Sequence, residues 1–439
     1  MVGFAINATR YILVFIVMLA AAEIGARVFE FFRPVRGTVN LEMAIQPYMM
    51  FAAHPGSGVV WTNVLKDSTI ESKMKFNNFG FAEANDFSFS PKSDGKDNLR
   101  KPGEKLVLMT GGSAVYGVGA SANEHTIPSQ LQRYLNAHSE VKYRVINMGM
   151  GAWIAYQQFI GLSLFGRGLD PDWVVVMDGR NDGVTACAHG SGVGNPLGWP
   201  PLLNLVDRRG GGVPALLNQA LNYSALIRVV TGKSPAEPNF NTGNVREDIS
   251  DPDSRFRVKM AGVTIGDLLR QLEFYISSEL SIAALFNKAN IIFSTQPMYF
   301  DNFVSNYYRS SFGPSASAQS RAKLKLDLDA FMNTNKDHAC GWKTINDSAS
   351  VFMGLSALRL RDVITTLKER DNSRHLSYEN AEAALPFDWH RKDYFIDDVH
   401  FSDAGDARLG AFFGEMILSA ERGVNFDYQN FLEQDNSGN

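Results

Sequence analysis

The sequence predicts an α/β fold: a three-layer α/β/α sandwich built on a central parallel sheet. Short apolar runs rich in Val, Ile and Leu alternate with longer segments whose apolar residues recur at helical spacing. Such alternation is typical of β-α-β units, in which a helix connects one parallel strand to the next. The chain has 439 residues, 45% of them hydrophobic and 20% charged, which is ample to bury a core of this size.

The elements are expected in the following order. Strands are predicted at residues 106–110, 143–153, 173–183 and 290–297, and helices at 127–135, 156–164, 216–230, 265–286, 316–332, 348–367 and 405–418. The main domain is expected over residues 101–425, with an insert at 184–255 that is dense in Gly and Pro. Residues 37–100 are expected to form an extension that packs on this core, and residues 426–439 a tail.

Composition excludes some classes of function. The net charge of −4 does not point to a nucleic-acid partner. Two cysteines, Cys187 and Cys340, are too few for a disulfide framework or a metal cluster, and they form either one bridge or two unpaired thiols. No cluster of His, Asp and Glu has the spacing of metal ligands, so no metal or cofactor is expected.

The amino terminus carries an uncharged run, Tyr11–Ala22. It is shorter than the roughly 20 residues of a membrane span and resembles the core of a signal peptide, with a possible small-residue cleavage site at Ala20–Ala22. Apolar residues continue to Phe32, which favours an uncleaved signal anchor over residues 1–36. An amphipathic helix docked on the domain is the alternative. Three arginines follow the run and one precedes it, a weak bias towards a cytoplasmic domain.

Small and polar residues follow three of the predicted strands. These stretches are Gly111–Ser113, Asn147–Gly151 and Gly179–Asp182, and the carboxyl ends of parallel strands share one edge of a sheet. Asp397 and His400 stand three residues apart just before the last helix, so both side chains can reach that edge. The alternative interpretation of Ser113 is a residue that caps a helix, and that of Asn181 is an ordinary turn residue.

These residue types together can perform acyl transfer. His400 can accept the Ser113 hydroxyl proton, and Asp397 can orient the imidazole, with Asp398 as a rival for that role. The oxyanion of a tetrahedral intermediate needs hydrogen-bond donors. The candidates are the backbone N–H of Ser113, a backbone N–H near Gly151 and the side-chain amide of Asn181. The other histidines considered, His125, His189, His338 and His375, show no partner pattern and are expected at the surface.

Four segments resemble the sequence blocks of the SGNH (GDSL-type) hydrolase superfamily. They are GGSAVYG, NMGMG, GRNDG and DDVHFSDAG, in the order and with the wide spacing of that family, within residues 75–420. The resemblance implies a flavodoxin-like sandwich with Ser113, His400 and Asp397 as catalytic residues. Two positions depart from the pattern: GGS replaces GDS, and the usual oxyanion glycine is replaced by Ala152. The resemblance therefore leaves the Gly151 and Ala152 amides as alternative donors.

The resemblance implies a serine ester hydrolase that acts on O-acyl (acetyl) esters of glycans or on small esters. The alternatives are an O-acyltransferase that modifies a cell-envelope polysaccharide and, in another class, a noncatalytic glycan-binding module. Anchored members of the family imply a single pass through the cytoplasmic membrane with the domain periplasmic or extracellular, against the arginine bias. The insert at 184–255 is expected to shape the pocket.

Overall fold

The computed structural model describes two compact groups of residues. One comprises Met1–Thr38 and Pro200–Asn241, and the other comprises Val39–Trp199 and Thr242–Asn439. The described residues are 2–32, 43–46, 48–53, 59–63, 66, 68–83, 101–188, 194, 224, 226, 264–299, scattered positions from 319 to 333, 345–385, 392–428 and 431. The predicted helix at 216–230, most of the insert and the pairing of Cys187 with Cys340 lie outside them.

The first group is described mainly through one helix, α1 (Val2–Phe32). Large apolar side chains in its middle, including Leu13, Phe15 and Ile16, are exposed. Among the described residues, no helix combines the length and the apolar character that crossing a bilayer requires. The predicted transmembrane anchor is therefore not supported.

In the second group, the elements follow one another in chain order. The strands are β1 (Met43–Gln46), β2 (Met50–Ala53), β3 (Val59–Asn63), β4 (Ser68–Ser72), β5 (Lys105–Gly111), β6 (Tyr143–Asn147), β7 (Trp173–Asp178), β8 (Asn290–Thr295) and β9 (Leu376–Asn380). The helices are α2 (Ser113–Tyr116), α3 (Ile127–His138), α4 (Ala155–Gly161), α5 (Arg180–Ala188), α6 (Ile265–Leu285), α7 (Ile345–Arg370) and α8 (Asp403–Glu421). Shorter helical turns cover 123–125, 162–169 and 381–384.

The central sheet has five parallel strands in the order β6-β5-β7-β8-β9. In this doubly wound order, β6 is added on one side of β5 and all later strands are added on the other side. Helices α3 and α8 pack together over one face, and α4, α5, α6 and α7 contact one another over the other. The predicted three-layer α/β/α sandwich with a central parallel sheet is confirmed.

The inner strands are buried on both faces, which explains their continuous apolar runs. Val107 and Met109 of β5 belong to the core under α3 and α8, whereas Leu108 points to the opposite face, near Gly166. The predicted strands after 143 and 173 are too long, because β6 ends at Asn147 and β7 ends at Asp178. Beyond β6 the polar signature lies in a turn, and beyond β7 it lies at Gly179 and in the first residues of α5.

Strand β9 is absent from the sequence-based prediction. It lies at the edge of the sheet and pairs only with β8 within the described residues. Its residues alternate between buried and half-buried, and its sequence LSYEN contains only one aliphatic side chain. An edge strand with one partner needs little apolar character, so this strand lacks the signal of the inner ones.

The described part of residues 37–100 forms two antiparallel hairpins, β1–β2 and β3–β4. Ala52 and Ala53 of β2 are fully buried. The backbone N–H of Ala53 lies 3.4 Å from the sulfur of Met150, and the Gln157 amide donates to the carbonyl of Met49 at 2.9 Å. These contacts place the first hairpin against the turn after β6.

Candidate active site

Ser113 stands at the carboxyl end of β5, as the first residue of α2. The two glycines before it leave no room for side chains. A Cβ built on Gly111 would overlap the carbonyl oxygen of Met177, and one on Gly112 would lie 2.7 Å from the Asn181 amide nitrogen. The apolar strand therefore ends in glycines because two neighbouring segments approach the backbone closely, and this approach brings Asn181 next to the serine.

His400 bridges the serine and an aspartate. Its Nε2 lies 2.7 Å from Ser113 Oγ, and its Nδ1 lies 2.7 Å from Asp397 Oδ2. The other carboxylate oxygen, Oδ1, accepts hydrogen bonds from the backbone N–H groups of Val399 and His400, each at 2.8 Å. Because an ionised carboxylate only accepts, Nδ1 carries the proton and Nε2 is left to accept from the serine hydroxyl.

The charge on Asp397 is stabilised by this arrangement. Burial raises the pKa of this carboxyl, but the His400 imidazole and the hydrogen bonds to Oδ1 and Oδ2 outweigh burial, and the net pKa lies below its ordinary value. Asp397 thus stays ionised at neutral pH, where it can stabilise an imidazolium. The contact to the imidazole is made by Asp397, as predicted by spacing, rather than by its rival Asp398.

The loop that carries Asp397 and His400 is held in place by contacts on several sides. Ile396 N–H donates to the carbonyl of His400 at 3.0 Å, and the Gln296 amide, just beyond the end of β8, donates to the carbonyl of Val399 at 2.7 Å. Phe395 and Phe401, fully buried, pair across the loop. The carboxyl end of β8 therefore contributes to positioning His400.

Asn181 lies in the first turn of α5, beside Gly112. Its side-chain nitrogen donates to the carbonyl of Trp153 at 2.8 Å. An amide nitrogen carries two hydrogens, and Trp153 takes one of them. The same carbonyl lies close to Gly112, so Asn181 fixes the turn after β6 against the turn after β5.

The two alternative backbone donors, Gly151 and Ala152, lie in this turn after β6. Ala152 has a φ of 61°, in the left-handed region that glycine adopts readily and alanine rarely. Its conformation is therefore the one that a glycine at this position would supply. Gly151 is buried, whereas Ala152 is half-buried. The choice between the two amides as oxyanion donor stays a prediction.

A group of buried carboxyls lies behind Asn181. Asp178, Asp182 and Glu279 are at most 3% exposed, and Tyr275 donates to Asp178 at 2.9 Å. Burial raises the pKa of Asp178 to about 6, and burial together with the neighbouring Asp178 raises the pKa values of Asp182 and Glu279. Asp182 also accepts from Ala155 N–H at 3.0 Å, which links α5 to the first residue of α4, just after the turn that follows β6.

Two histidines expected at the surface have structural partners instead. His125 contacts Ser121 and Asp403, and His375 is half-buried beside Trp173, where burial lowers its pKa. The contacts with Asp403 and Trp173 join segments that are distant in sequence, so no local pattern predicts them. His189 and His338 lie outside the described residues. Among the residues described, no group of three or more His, Cys, Asp or Glu could hold a metal ion.

Of the comparisons with known proteins, only the one with solved structures found similar proteins. No family model matches the sequence, and no curated protein matches it. A protein described as a GDSL-like lipase from Bacteroides ovatus is 10% identical, with a TM-score of 0.34 over 75% of this chain and 56% of that one. The lipase/acylhydrolase from Enterococcus faecalis is 14% identical, with a TM-score of 0.32 over 71% and 95%. The Clostridium thermocellum family 3 carbohydrate esterase is 9% identical, with a TM-score of 0.32 over 73% and 100%.

Proposed function

We propose that this chain is a serine ester hydrolase that works through an acyl-enzyme. The observation that carries the proposal is the continuous chain of hydrogen bonds from Ser113 through His400 to Asp397, with both links at 2.7 Å. A serine that only caps a helix has no need of an imidazole oriented by a carboxylate. The sequence blocks that resemble SGNH hydrolases support the same function, since they supply these three residues.

The first half of the reaction forms the acyl-enzyme. As Ser113 Oγ attacks the ester carbonyl, its proton passes to His400 Nε2, and Asp397 stabilises the imidazolium that results. The carbonyl electrons move to oxygen and return when the carbon–oxygen bond to the alcohol breaks. His400 then gives its proton to the departing alkoxide. In the second half, water replaces the alcohol and the same proton transfers release the acid and regenerate Ser113.

The oxyanion receives hydrogen bonds from three proposed donors. They are the backbone N–H of Ser113, the Asn181 side chain and the backbone N–H of either Gly151 or Ala152. Gly112, packed against the Asn181 amide, keeps the first two close together. Removal of one such donor typically raises the barrier by roughly 3 to 4 kcal/mol.

The substrate class that we propose is O-acyl esters, with acetylated glycans or small esters as the first candidates. The proposal is supported by the resemblance of the sequence blocks, whose family includes enzymes of this kind. The same resemblance supports a periplasmic or extracellular domain. Protease treatment of spheroplasts tests this location, because an outward-facing domain is digested and a cytoplasmic one stays protected.

The test of the activity is turnover of p-nitrophenyl acetate by the full chain, beside Ser113→Ala and Ser281→Ala. Ser281 is a helical serine that hydrogen-bonds its own helix at Ser277, so it is a matched control. We expect steady turnover in the wild type and in Ser281→Ala, and none above background in Ser113→Ala. A single burst without turnover indicates a transferase that lacks its acceptor, and equal activity in all three proteins contradicts the proposal.

A further inference from the structure

The nucleophile and its base belong to segments that are 287 residues apart in sequence. The nucleophile segment runs from Ser113 through Ser121, and the base segment leads from His400 directly into α8. No covalent link sets the distance between Ser113 Oγ and His400 Nε2. It therefore depends on noncovalent contacts between the two segments.

A cluster of three polar side chains joins these segments outside the catalytic triad. We call Ser121, His125 and Asp403 the bridging cluster. Ser121 Oγ donates to Asp403 Oδ2 at 2.6 Å, and Ser121 N–H donates to Asp403 Oδ1 at 2.9 Å. His125 Nδ1 lies 2.6 Å from Ser121 Oγ and 3.0 Å from Asp403 Oδ2. Both oxygens of Asp403 are thus engaged by the nucleophile segment.

These distances assign the proton on His125. A serine hydroxyl has one hydrogen, and Ser121 gives it to Asp403. The Ser121 oxygen must then accept from His125, so Nδ1 of this ring carries hydrogen. His125 is accordingly a donor to both other members, and its loss removes one hydrogen-bond donor from Ser121 Oγ and from Asp403 Oδ2.

The backbones of the two segments also touch beside the cluster. Gly119 has a φ of 102°, and a Cβ built on it would overlap the carbonyl oxygen of Phe401. Phe401 follows His400 directly, and Asp403 is the first residue of α8. The bridging cluster therefore fixes the contact between the two segments at Asp403, only three residues after His400 in the chain.

From this geometry we infer that His125 is a positioning residue, which, through Ser121 and Asp403, holds the base segment at the distance that lets His400 accept the Ser113 proton. Its role in catalysis rests on the proposed function, since it acts only through the Ser113–His400 contact. A displacement of about 1 Å at a reacting contact can cost on the order of 100-fold in rate. Such a displacement acts on proton transfer between Ser113 and His400, so we expect kcat to change much more than KM.

The test compares His125→Ala, His125→Asn and His138→Ala in the full chain. An asparagine amide places an N–H close to the position of Nδ1, so His125→Asn is the conservative variant. His138 is an exposed histidine at the end of α3 whose Nδ1 contacts the carbonyl of Tyr134, so it is the matched control. For each protein, kcat and KM for p-nitrophenyl acetate and the thermal unfolding midpoint are measured. The downfield proton NMR signal of the His400–Asp397 hydrogen bond is recorded as a readout that does not need activity.

We expect His125→Ala to lower kcat by about 10- to 100-fold, with KM within about twofold and the fold retained. His125→Asn should recover most of the rate, and His138→Ala should match the wild type. The inference is overturned if His125→Ala keeps the wild-type kcat. It is also overturned if kcat falls in His125→Ala together with the unfolding midpoint and His125→Asn does not restore it.

The NMR signal separates this inference from the proposed function. If the wild type neither turns over esters nor reacts at Ser113, the proposed function is wrong. A His400 proton signal that is shifted or broadened in His125→Ala, but not in the two other variants, still supports the positioning role. An unchanged signal in His125→Ala contradicts it.

Discussion

At the scale of single residues, Asp397 shows how one carboxylate can be kept charged while partly removed from solvent. It is 30% exposed at its side chain, and three hydrogen bonds hold it in one orientation. Its pKa is lowered in the folded protein, so it contributes stability that is present above its unfolded pKa and lost as the pH falls through its folded pKa. It therefore remains ionised throughout the neutral range in which an imidazole base operates.

Replacement of this carboxylate tests its role. Asp397→Asn is expected to lower kcat by about 1,000- to 10,000-fold, because an amide can stabilise the wrong imidazole tautomer and cannot stabilise the imidazolium. Asp398→Asn changes the neighbouring carboxylate and should retain most of the activity. Kinetics of p-nitrophenyl acetate hydrolysis at neutral pH decide between the two, and a larger loss in Asp398→Asn makes Asp398 the orienting residue.

Ala152 illustrates a residue whose conformation conflicts with its type. Its φ of 61° costs an alanine about 1 kcal/mol or more relative to glycine. Replacement by glycine removes this strain, but part of the gain in stability is offset by the greater conformational freedom of glycine in the unfolded chain. We expect Ala152→Gly to stabilise the fold by about 0.5 kcal/mol in urea denaturation, whereas Ala283→Gly, a control inside helix α6, should destabilise it. Destabilisation by Ala152→Gly contradicts a left-handed backbone at this position.

At the scale of elements, two hydrogen bonds join α5 to the segment that leads from the turn after β6 into α4. Asn181 donates to the Trp153 carbonyl, and Asp182 accepts from Ala155 N–H. The first link involves a proposed oxyanion donor, and the second lies one residue away along the same helix. The position of Asn181 therefore depends on a fully buried neighbour, Asp182.

Substitution of Asp182 tests the contribution of its hydrogen bond with Ala155 to stability and to the position of Asn181. At about pH 5, Asp182→Ala is expected to destabilise the protein by about 1 to 3 kcal/mol, because Ala155 N–H loses its acceptor inside the protein. It should also lower kcat, since Asn181 is less well held. Asp182→Asn retains an acceptor and should restore both properties. Urea denaturation and ester kinetics provide the measurements; a fully active and stable Asp182→Ala shows that the link is dispensable.

The same scale shows what could be read from the sequence. Strands β5, β7 and β8 are buried on both faces, so their continuous apolar runs predict them, and glycines mark the ends of β5 and β7. Asp397 and His400 stand close together in the chain, which makes their pairing readable. Edge strand β9 carries no such run, and the contact of His125 with Asp403 joins distant segments. Local patterns cannot predict contacts that exist only after the sheet has formed.

At the scale of the whole molecule, buried carboxyls make stability depend on pH. Burial raises the pKa values of Asp178, Asp182 and Glu279 above those of the unfolded chain. At these three groups the folded protein then binds more protons than the unfolded chain does. The stability that they contribute is greatest below their unfolded pKa values and is lost as the pH rises through the folded ones.

We therefore expect the urea midpoint to decrease from about pH 5 to about pH 8. A rise of the Asp178 pKa to about 6 corresponds to roughly 1.4 kcal/mol of lost stability for each pH unit between pH 5 and the folded pKa, so this group loses roughly 1 to 1.5 kcal/mol above pH 5. Glu279→Gln should flatten the decrease, because it removes one of the coupled carboxyls. Glu140→Gln, at an exposed position, should leave it unchanged. Stability that rises over this pH range contradicts protonated carboxyls in the core.

The most direct measurement is the identification of the residue that carries the acyl group. The full chain is mixed with p-nitrophenyl acetate, quenched with acid within milliseconds, digested and analysed by mass spectrometry, beside Ser113→Ala. The account predicts one added acetyl group on the peptide that contains Ser113, and none on the corresponding peptide of the variant. An acetyl group on another residue, unchanged in Ser113→Ala, or ester turnover that is equal in both proteins, would contradict it.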